Sequence, residues 1–584
     1  MPASRTLIDF INPHDATAAP ERLAFGEPDR KLVARTADEV ISVLAQAQAC
    51  AEAGLWCVGY VRYEAAPAFD VALTVHEPHG ADGPLAWFGI HRAPLADDAA
   101  WHALTPEPHV QWEATLDRSA FDAGMAAIHE SIASGEFYQV NYTAPVVAPF
   151  DGATLPWFHA LRRAQPRAYS AFIDTGDEQV LSVSPELFFD WKDGHLLGRP
   201  MKGTAPRGST PEDDVAQAQY LRSSPKEQAE NVMIVDLIRN DLSRVAEPFS
   251  VKVPRLFHLE ALPTVWQMTS DVTAQSRKGT SLVDVFKALF PCGSITGAPK
   301  VQAMRKLRAL EPVPRGVYCG AVGIVRPGGH ATFNVAIRTV VVQGKAARCG
   351  IGSGITADAQ PDGEWAEWQS KRRFLERASQ PFELLETLAL RDGQWRNLDE
   401  HLQRIAGAAQ HFGFVYSPDT VRSSLGALQN AHPRGAWRVR LLLQPSGHCT
   451  CQAFALADTP EPVRLQLATR PMDEAHSEFV RFKTTRRAHY DAFTPANSQV
   501  FDTILWNARG ELTECTRGNI ALQLDGQWVT PPLACGLLAG VGRAVLLREG
   551  VLQERVLKVE DLQRAQGLMF LNSLRGGLAA QWVE

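Results

Sequence analysis

The chain has 584 residues, of which 45% are hydrophobic and 21% are charged, and its formal net charge is -7. At roughly 100 to 200 residues per domain, this length predicts several domains or two large ones and excludes a single small binding module. The acidic balance argues against nucleic acid as a partner. No apolar run approaches the roughly 18 residues of a membrane helix, and the N-terminal MPASRTLIDF has no signal-peptide pattern, which predicts a cytoplasmic protein.

The nine cysteines are scattered along the chain and odd in number, which predicts free thiols rather than a disulfide framework. The one close pair, Cys449 and Cys451, has no second pair or histidine cluster to complete a zinc site. No serine or cysteine stands in a G-x-S-x-G context, so a hydrolase nucleophile has no local support.

The chain changes character near residue 380. A charged helical stretch at 369–379 ends at Gln380-Pro381, and proline disfavours helix in the residue before it. Strand-like runs and amphipathic helices are mixed on both sides of this point. We therefore predict two α+β domains, 1–378 and 382–584.

Two pairs of glutamates in the first domain have helical spacing. Glu227 and Glu230 lie three residues apart in KEQAENVMIVDLIRNDL, and Glu364 and Glu367 have the same spacing in PDGEWAEWQSKRRFL. Four carboxylates in two such pairs suit Mg²⁺, which prefers oxygen ligands. Solvated helix faces carry the same spacing, so the pattern by itself leaves a surface role open.

Three glycine-containing segments would let backbone amides approach a bound anion closely. They are CGSITGAPK at 292–300, GVYCGAVG at 316–323 and GIGSGITAD at 350–358. None is a Walker loop or a G-x-G-x-x-G fingerprint, so nucleotide binding has no motif behind it. Tight turns between strands are the alternative for each segment alone.

Together these segments resemble the chorismate-utilising enzymes, which include anthranilate synthase component I, aminodeoxychorismate synthase component I, isochorismate synthase and salicylate synthase. The resemblance runs through SGEFYQVNYT, SVSPELFF, RPMKGTAPRG, EQAENVMIVDLIRNDL, CGSITGAPKVQAM, YCGAVG, FNVAIRT and GIGSGITADAQPDGEWAE, over residues 118–375. It implies a fold of packed antiparallel sheets with outer helices.

The same resemblance implies a Mg²⁺ site, with Glu230 and Glu367 as direct ligands and Glu227 and Glu364 acting through water. Gln267 stands where many relatives have histidine, so a step assigned to that imidazole is not carried over, because an amide does not titrate near neutral pH. The residues implied to bind substrate are Arg338, Tyr318, Gly352, Gly354, Ser294 and Lys300.

Lys202, in RPMKGT, discriminates among these enzymes. Anthranilate synthases carry alanine in the corresponding R-P-I-A-G-T, whereas aminodeoxychorismate synthases carry P-I-K-G-T. A neutral lysine amine can attack C2 of chorismate and expel the C4 hydroxyl, which Glu186 of SVSPELFF would protonate. Ammonia would then add at C4 and release Lys202. For Lys202 in isolation, a surface lysine after a strand is the alternative.

No segment resembles a glutamine amidotransferase with its Cys, His and Glu triad. The resemblance therefore implies a separate glutaminase subunit that supplies ammonia.

The second half resembles the fold-type IV pyridoxal phosphate enzymes, among them branched-chain and D-amino acid aminotransferases and aminodeoxychorismate lyase. The matching segments are FELLETLAL, LDEHLQRIAGAAQHFGF, RFKTTRRAHYDAF, DTILWNARGELTECTRGNI and TPPLACGLLAGVGRAVLL. The resemblance implies a two-subdomain fold and a lysine that tethers the cofactor. Only two lysines follow residue 381: Lys483 matches the family's lysine, and Lys558 is predicted to be an exposed charge.

The same resemblance assigns the remaining cofactor residues. Glu514 would bind the pyridine nitrogen, and Arg404 would bind the phosphate. The amides of Val541 and Gly542, at a helix N-terminus, would bind the same phosphate, and Ser573 would add a hydroxyl. A solvent-facing glutamate, a surface arginine and an ordinary helix cap are the alternatives for these positions taken singly.

Both halves together predict a bifunctional aminodeoxychorismate synthase component I and lyase that makes 4-aminobenzoate for folate biosynthesis. Lys483 would remove the C4 proton of aminodeoxychorismate while the enolpyruvyl group leaves as pyruvate. One alternative is an anthranilate synthase component I-like enzyme fused to an aminotransferase-like domain; another is a chain with one non-catalytic half. Fold-type IV enzymes often dimerise, which favours a homodimer through the second domain.

Overall fold

The structure is a computed structural model that divides into two compact units, Met1–Pro381 and Phe382–Glu584. It describes residues 5–583 except 16, 78–82, 97–100, 102–107, 209–210 and 263–264. None of the helices formed by these residues is long and apolar enough to cross a membrane. All nine cysteines are free thiols.

The first unit contains two large sheets and the helices that cover them. Its strands are β1 (Thr6–Phe10), β2 (Glu21–Phe25), β3 (Arg30–Ala34), β4 (Trp56–Val61), β5 (Ala86–His91), β6 (Glu113–Ala114), β7 (Gln139–Pro149), β8 (Tyr169–Asp174), β9 (Glu178–Ser184), β10 (Leu187–Lys192), β11 (His195–Arg199), β12 (Met201–Pro206), β13 (Lys252–Ala261), β14 (Val265–Gln275), β15 (Gly297–Ala298), β16 (Ala321–Val325), β17 (Ala331–Val335), β18 (Thr339–Gln343) and β19 (Ala346–Ile355). Its helices are α1 (Ala37–Glu52), α2 (Arg118–Ala133), α3 (Thr154–Ala164), α4 (Pro211–Ser223), α5 (Pro225–Ser243), α6 (Leu282–Leu289), α7 (Lys300–Leu310) and α8 (Pro361–Ala378).

Both sheets of this unit are antiparallel. The nine-stranded sheet has the order β15-β7-β19-β18-β9-β8-β1-β2, with β6 paired to β7, and the ten-stranded sheet has the order β12-β14-β11-β10-β17-β16-β4-β5-β3, with β13 paired to β14. One buried cluster combines Ile8 and Ile173 of the first sheet with Val58 and Ile324 of the second, so the sheets pack face to face.

Helices cover the outer face of each sheet. A second cluster joins α1, α5 and α6 to the ten-stranded sheet, and a third joins α2, α3 and α8 to the nine-stranded sheet. Each helix therefore buries one apolar stripe against strands. This arrangement confirms the predicted α+β class, with packed antiparallel sheets and outer helices.

The two helices that carry the paired glutamates both begin with proline, at Pro225 and Pro361. Proline suits the first helical position because its missing N–H has no partner there in any helix. Ser224 caps α5 by accepting a hydrogen bond from the amide of Glu227. As a result, both glutamate pairs lie in the first turns of their helices.

The second unit also has two sheets. Its strands are β20 (Leu384–Arg391), β21 (Gln394–Trp395), β22 (Ala436–Leu443), β23 (Cys449–Ala455), β24 (Val463–Leu467), β25 (Asp502–Trp506), β26 (Leu512–Cys515), β27 (Asn519–Leu524), β28 (Gln527–Thr530), β29 (Gln553–Glu554), β30 (Gly567–Asn572) and β31 (Gly576–Val583). Its helices are α9 (Leu398–Phe412), α10 (Pro418–Ala431), α11 (Glu478–Arg481), α12 (Ala488–Asp491), α13 (Val541–Arg548) and α14 (Asp561–Arg564).

Each of these two sheets has its own core, as the two-subdomain prediction requires. The four-stranded sheet, β21-β20-β22-β23, is antiparallel and packs against α9 and α10. The eight-stranded sheet, β26-β25-β24-β31-β30-β27-β28-β29, is mixed, because β24 runs parallel to β25 and β31 and β28 runs parallel to β29. Its core includes Leu465, Ile520 and Phe570.

Candidate active sites

A cavity of about 150 Å³ in the first unit gathers residues from strands of both sheets and from α5 and α8. The lining residues are Asn141, Pro185, Glu186, Met201, Lys202, Gly203, Thr204, Lys226, Glu227, Glu230, Gln267, Ser294, Ile295, Tyr318, Ile337, Arg338, Gly350, Ile351, Gly352, Gly354, Glu364, Glu367 and Lys371. Every residue predicted for this site except Lys300 is among them.

Lys202 lies on β12, and its ammonium group faces β19. A methyl group on Gly354 would come within 2.9 Å of Lys202 Nζ, so the lysine nitrogen lies close to the backbone of β19. Burial lowers the pKa of Lys202, and the positive charge of Lys371 lowers it further, while Glu230 and Glu186 partly oppose the shift. The environment therefore favours the neutral amine, which is the nucleophilic form.

Glu186 lies on the loop before β10 and is only 3% exposed. Burial raises its pKa to about 7, although a hydrogen bond from Ser294 and the charge of Lys202 act in the opposite direction. Its Oε1 atom has no hydrogen-bond partner among the residues that the structure describes. A carboxyl group that keeps its proton near neutral pH can serve as a general acid.

The four glutamates of α5 and α8 line one side of the cavity. Burial raises the pKa of Glu227, Glu230 and Glu364, and the negative charge of neighbouring glutamates raises each further. Burial acts on Glu367 in the same direction, but the ammonium group of Lys371, 2.6 Å away, outweighs it and holds the pKa of Glu367 below its ordinary value.

The chemistry of these donors fits a hard divalent cation, because it would relieve the repulsion among their carboxylates. Within the described residues, no three His, Cys, Asp or Glu side chains converge closely enough to hold a metal ion. Two of the glutamates have protein partners instead: Ser353 Oγ donates to Glu364 Oε2 at 2.6 Å, and Lys371 pairs with Glu367. The four carboxylates therefore line one cavity, but they do not converge on a single point.

Arg338 and Tyr318 form another part of the lining. The Arg338 guanidinium lies 6.0 Å from the Phe374 ring centre and has no carboxylate partner in the described part of the chain. Burial lowers the pKa of Arg338 to about 10. The Tyr318 ring packs so closely on β19 that a methyl group on Gly350 would be 2.1 Å from it. An unpaired, half-buried guanidinium is suited to bind an anionic substrate.

Lys300 requires a correction. Its Nζ atom donates to Asp241 Oδ2 at 2.8 Å and to the carbonyl oxygen of Leu289 at 3.3 Å, and the side chain does not line the cavity. A buried ammonium group needs such partners, and here they lie in the protein. By contrast, Ser294, Gly352 and Gly354 line the cavity as expected from the sequence.

Sequence reasoning missed Lys226, Lys371 and Asn141, which also line the cavity. The signal for Lys371 is its position four residues after Glu367, a spacing that predicts an ion pair on a helix. Its Nζ atom also donates to the carbonyl oxygen of Gly352 at 2.9 Å. Neither Lys226 nor Asn141 has a comparable signal.

Gln267, on β14, has a structural role beside Lys202. Its Nε2 atom donates to the carbonyl oxygen of Gly203 at 2.8 Å, and its Oε1 atom accepts from Thr204 Oγ1 at 3.1 Å. The side chain thus holds the backbone of β12 directly after Lys202.

The candidate site of the second unit centres on Lys483, in the segment after α11. Burial lowers the pKa of Lys483 to about 7, the charges of Arg404 and Arg487 act in the same direction, and Glu386 and Glu514 oppose them. The segment is tied to β20, because the Lys483 carbonyl oxygen accepts from the amide of Leu385 at 3.0 Å.

Glu514, at the end of β26, is 2% exposed. It accepts hydrogen bonds from Tyr490 Oη at 2.6 Å and from the amide of Leu538 at 3.1 Å, and Asn519 Nδ2 lies 3.4 Å from its second oxygen. Burial nevertheless raises its pKa to about 7. Glu514 is thus a fixed, buried carboxyl group near Lys483.

Arg404, on α9, makes two hydrogen bonds to the buried carboxylate of Glu386, at 2.8 and 2.6 Å. Its Nη1 atom donates to the carbonyl oxygen of Ala539 at 3.1 Å, just before α13. Ser573 Oγ lies 2.8 Å from His401 Nε2, and His401 also contacts Glu386. These contacts bring Arg404 and Ser573 into one network.

The N-terminus of α13 meets the same network. Helix α13 begins at Val541, and a methyl group on Gly542 would lie 3.0 Å from the amide nitrogen of Ser573. A lysine, a buried carboxyl group, an arginine, a hydroxyl and a helix N-terminus are the donors that a phosphorylated pyridine aldehyde requires. The residues present therefore fit pyridoxal phosphate. No pattern in the sequence indicated a role for Glu386, His401 or Tyr490.

Residues 99–377 match the family described as chorismate binding enzyme, and residues 383–581 match the family described as amino-transferase class IV. Aminodeoxychorismate synthase component 1 of Klebsiella aerogenes is 41% identical over 283 residues, which are 48% of this chain and 61% of that protein. The corresponding protein of Salmonella typhimurium is 39% identical over 50% of this chain and 62% of its own length. The chain thus spans somewhat more than three fifths of these two relatives.

Anthranilate synthase component 1 of Methanothermobacter thermautotrophicus is 33% identical over 54% of this chain and 72% of its own length. Anthranilate synthase component I from Streptococcus pneumoniae has a similar fold, with a TM-score of 0.51, 24% identity and coverage of 64% of this chain and 90% of that one. The chain therefore belongs to the chorismate binding enzymes and carries, after that domain, a region of the class IV aminotransferase type.

Proposed function

We propose that the chain makes 4-aminobenzoate from chorismate in two steps. The first unit converts chorismate and ammonia to 4-amino-4-deoxychorismate, and the second unit removes pyruvate from that product. The observation that carries the proposal is the placement of Lys202 in one cavity with Glu186, Arg338 and four glutamates. The match to synthase relatives and to the class IV family supports it.

In the first unit, Lys202 is the nucleophile. Its neutral amine attacks C2 of chorismate, both ring double bonds shift by one position, and the C4 hydroxyl leaves as water with the proton of Glu186. The amine adduct then returns a proton to Glu186. Ammonia then attacks C4, both double bonds shift back, and the C2–N bond breaks. A proton passes from the new ammonium group to the leaving nitrogen, which releases the Lys202 amine. The pKa of Lys202 is lowered and that of Glu186 is raised, so each group is shifted toward the protonation state that these steps use.

Mg²⁺ would be held by Glu230 and Glu367 directly and by Glu227 and Glu364 through water. It would supply positive charge for a carboxylate of the substrate. Arg338 and Tyr318 bind the other carboxylate, and Gln267 holds β12 so that Lys202 faces the ring.

In the second unit, Lys483, Glu514, Arg404, Ser573 and the amides of Val541 and Gly542 would hold pyridoxal phosphate, which supplies an electron sink. Lys483 takes the proton from C4 of the substrate. The C3–O bond then breaks, the enolpyruvyl group departs as pyruvate, and the ring becomes aromatic. With its pKa lowered to about 7, Lys483 can accept and return a proton near neutral pH.

A separate glutamine amidotransferase subunit supplies the ammonia. The relatives are named component 1, which indicates a second component in those systems. Free ammonium should therefore support turnover without that partner.

Anthranilate synthesis is the second candidate, because anthranilate synthase components are also among the relatives. Lys202 argues against it, because anthranilate synthases resembling this chain have alanine in that motif.

Product analysis separates the two candidates. The purified chain is supplied with chorismate, Mg²⁺, ammonium and pyridoxal phosphate, and the products are identified. We expect 4-aminobenzoate and pyruvate in equal amounts. Anthranilate as the main product would contradict the proposal.

Glu186 should set the alkaline limb of the pH profile. Because burial raises its pKa to about 7, the acid form is present below that pH and is lost above it. We expect kcat/KM for chorismate in the first unit to fall about tenfold per pH unit on the alkaline side, measured at constant free ammonia. Glu186→Gln should lower kcat by about 10²- to 10⁴-fold and abolish this limb. An unchanged limb in the variant would show that another group titrates.

Arg338→Gln should weaken chorismate binding. The guanidinium has no carboxylate partner among the described residues, so a substrate carboxylate is its natural counterion. We expect KM for chorismate to rise about tenfold or more, with a smaller change in kcat. Arg338→Lys, which keeps the charge but loses the planar fork, should give an intermediate KM. Equal KM values for all three proteins would rule out this contact.

A further inference from the structure

Two arginines in the second unit converge on one aromatic ring. The guanidinium carbons of Arg517 and Arg575 lie 5.0 and 6.0 Å from the centre of the Phe501 ring. Arg517 follows Glu514 by three residues, and Arg575 follows Ser573 by two. Asn572 Nδ2 donates to the Arg517 carbonyl oxygen at 3.4 Å, so the loop and the turn are in contact. Both arginines thus flank residues proposed to hold the cofactor.

Two more arginines, Arg438 on β22 and Arg396 directly after β21, lie near Arg575 or the residue that follows it. Arg438 on β22 is paired with Phe454 on β23, and its guanidinium carbon lies 4.8 Å from that ring centre. The Arg396 guanidinium sits against the turn after β30, because a methyl group on Gly576 would lie 3.0 Å from its Nη2 atom. We call Arg396, Arg438, Arg517 and Arg575 the arginine cluster.

The arginine cluster carries more positive charge than the described residues around it neutralise. Asp502 pairs with Arg517, with Arg517 Nε 3.4 Å from Oδ2. Arg575 Nε donates to the hydroxyl of Thr459 at 2.7 Å, and no ion pair joins Arg396, Arg438 or Arg575 to a described carboxylate. Burial lowers the pKa of Arg575, and the charges of Arg517 and Arg438 lower it further. Arg396, Arg438 and Arg517 are exposed and Arg575 is half-buried, so an anion from solution can reach the cluster, where it would reduce the repulsion among these charges.

We propose that the arginine cluster binds the carboxylates of a dicarboxylate amine, the substrate whose proton Lys483 removes. This inference rests on the proposed function of the second unit. An ordinary amino acid presents one carboxylate, whereas 4-amino-4-deoxychorismate presents two, and three uncompensated guanidinium groups suit a dianion. The arginine cluster therefore selects the lyase substrate over monocarboxylate amines that an aminotransferase of this family would accept.

The test measures pyruvate release by the full-length chain loaded with pyridoxal phosphate and supplied with 4-amino-4-deoxychorismate. We expect Arg575→Gln and Arg438→Gln each to raise KM about tenfold, with kcat within about twofold of the parent value. Arg575→Lys should restore most of the affinity, and KM of the parent chain should rise with salt concentration. Arg422→Gln is the matched control: it removes the same charge from α10, where Arg422 pairs with exposed Asp399, and should leave KM unchanged.

Unchanged KM in both glutamine variants would overturn the inference. It would also be overturned by a loss of kcat that accompanies a lower melting temperature and that Arg575→Lys does not rescue, because this pattern indicates a structural role. If the parent chain releases no pyruvate at all, the proposed lyase function itself is wrong. If the parent chain releases pyruvate and both glutamine variants have a normal KM, the proposed lyase function stands. Only the proposed role of the arginine cluster is then wrong.

Discussion

Lys483→Ala is expected to stop 4-aminobenzoate formation while 4-amino-4-deoxychorismate accumulates. The alanine variant has no amine to tether the cofactor or to take the C4 proton, so the second step should slow by about 10³-fold or more. The proposed nucleophile and acid of the first unit, Lys202 and Glu186, are unchanged in this variant, so the rate of the first step should not change. Separation of the intermediate from the product by chromatography, with pyruvate measured in parallel, gives both rates from one reaction.

The physical basis is the environment of Lys483. Burial and the charge of Arg404 lower its pKa to about 7, so the amine exchanges a proton with little cost near neutral pH. An exposed lysine would stay protonated at this pH and could not act as a base.

Lys558→Ala is the matched control, because Lys558 is the other lysine after residue 381. Its Nζ atom donates to the carbonyl oxygen of Arg509 at 2.9 Å and lies 3.5 Å from Glu511, and its side chain is 40% exposed. Loss of such a pair costs about 0–1 kcal/mol of stability and should leave both rates unchanged. Normal 4-aminobenzoate formation by Lys483→Ala would show that the second unit does not use this lysine.

Local sequence patterns predicted the elements that are decided by short-range periodicity. Helix α5 was predicted from apolar positions that include Val235, Ile238 and Leu242, which are buried in the structure, and strand β22 was predicted from the run GAWRVRLLLQP. The order of the sheets could not be obtained this way. Strand β7, for example, lies between β15 and β19, which follow it by more than a hundred residues. Such pairing depends on packing between distant segments, which periodicity does not encode.

The candidate site of the first unit shows the same contrast between what residue types predict and what depends on long-range packing. Motif resemblance named residues that line one cavity, Lys202 and Glu186 among them. It failed for Lys300, because the ion pair with Asp241 joins residues that are 59 positions apart. Gln267 was singled out from the sequence, but its hydrogen bond to the Gly203 carbonyl oxygen was not predicted, because residue type does not show which backbone group a side chain contacts. Side-chain chemistry is readable from sequence, but the partner that satisfies each group is a property of the fold.

Lys202→Ala should abolish 4-amino-4-deoxychorismate formation, with a loss of about 10³-fold or more in kcat. The residue lies against Gly354 in the cavity, and burial together with the charge of Lys371 lowers its pKa, which shifts the side chain toward the nucleophilic neutral amine. Chorismate should still bind, because Arg338 and Tyr318 are unchanged. The variant should also convert added 4-amino-4-deoxychorismate to 4-aminobenzoate at the parent rate, because Lys483 is intact.

Lys202→Arg distinguishes a nucleophile from a positive charge. Arginine keeps the charge but does not lose its proton in a protein, so it cannot form a bond to C2 of the substrate. We therefore expect Lys202→Arg to be as inactive in the first step as the alanine variant. Lys345→Ala, at an exposed lysine paired with Asp151, controls for the loss of one lysine and should be fully active. Substantial activity in Lys202→Arg would mean that the charge at this position matters, and that ammonia displaces the hydroxyl without a covalent step.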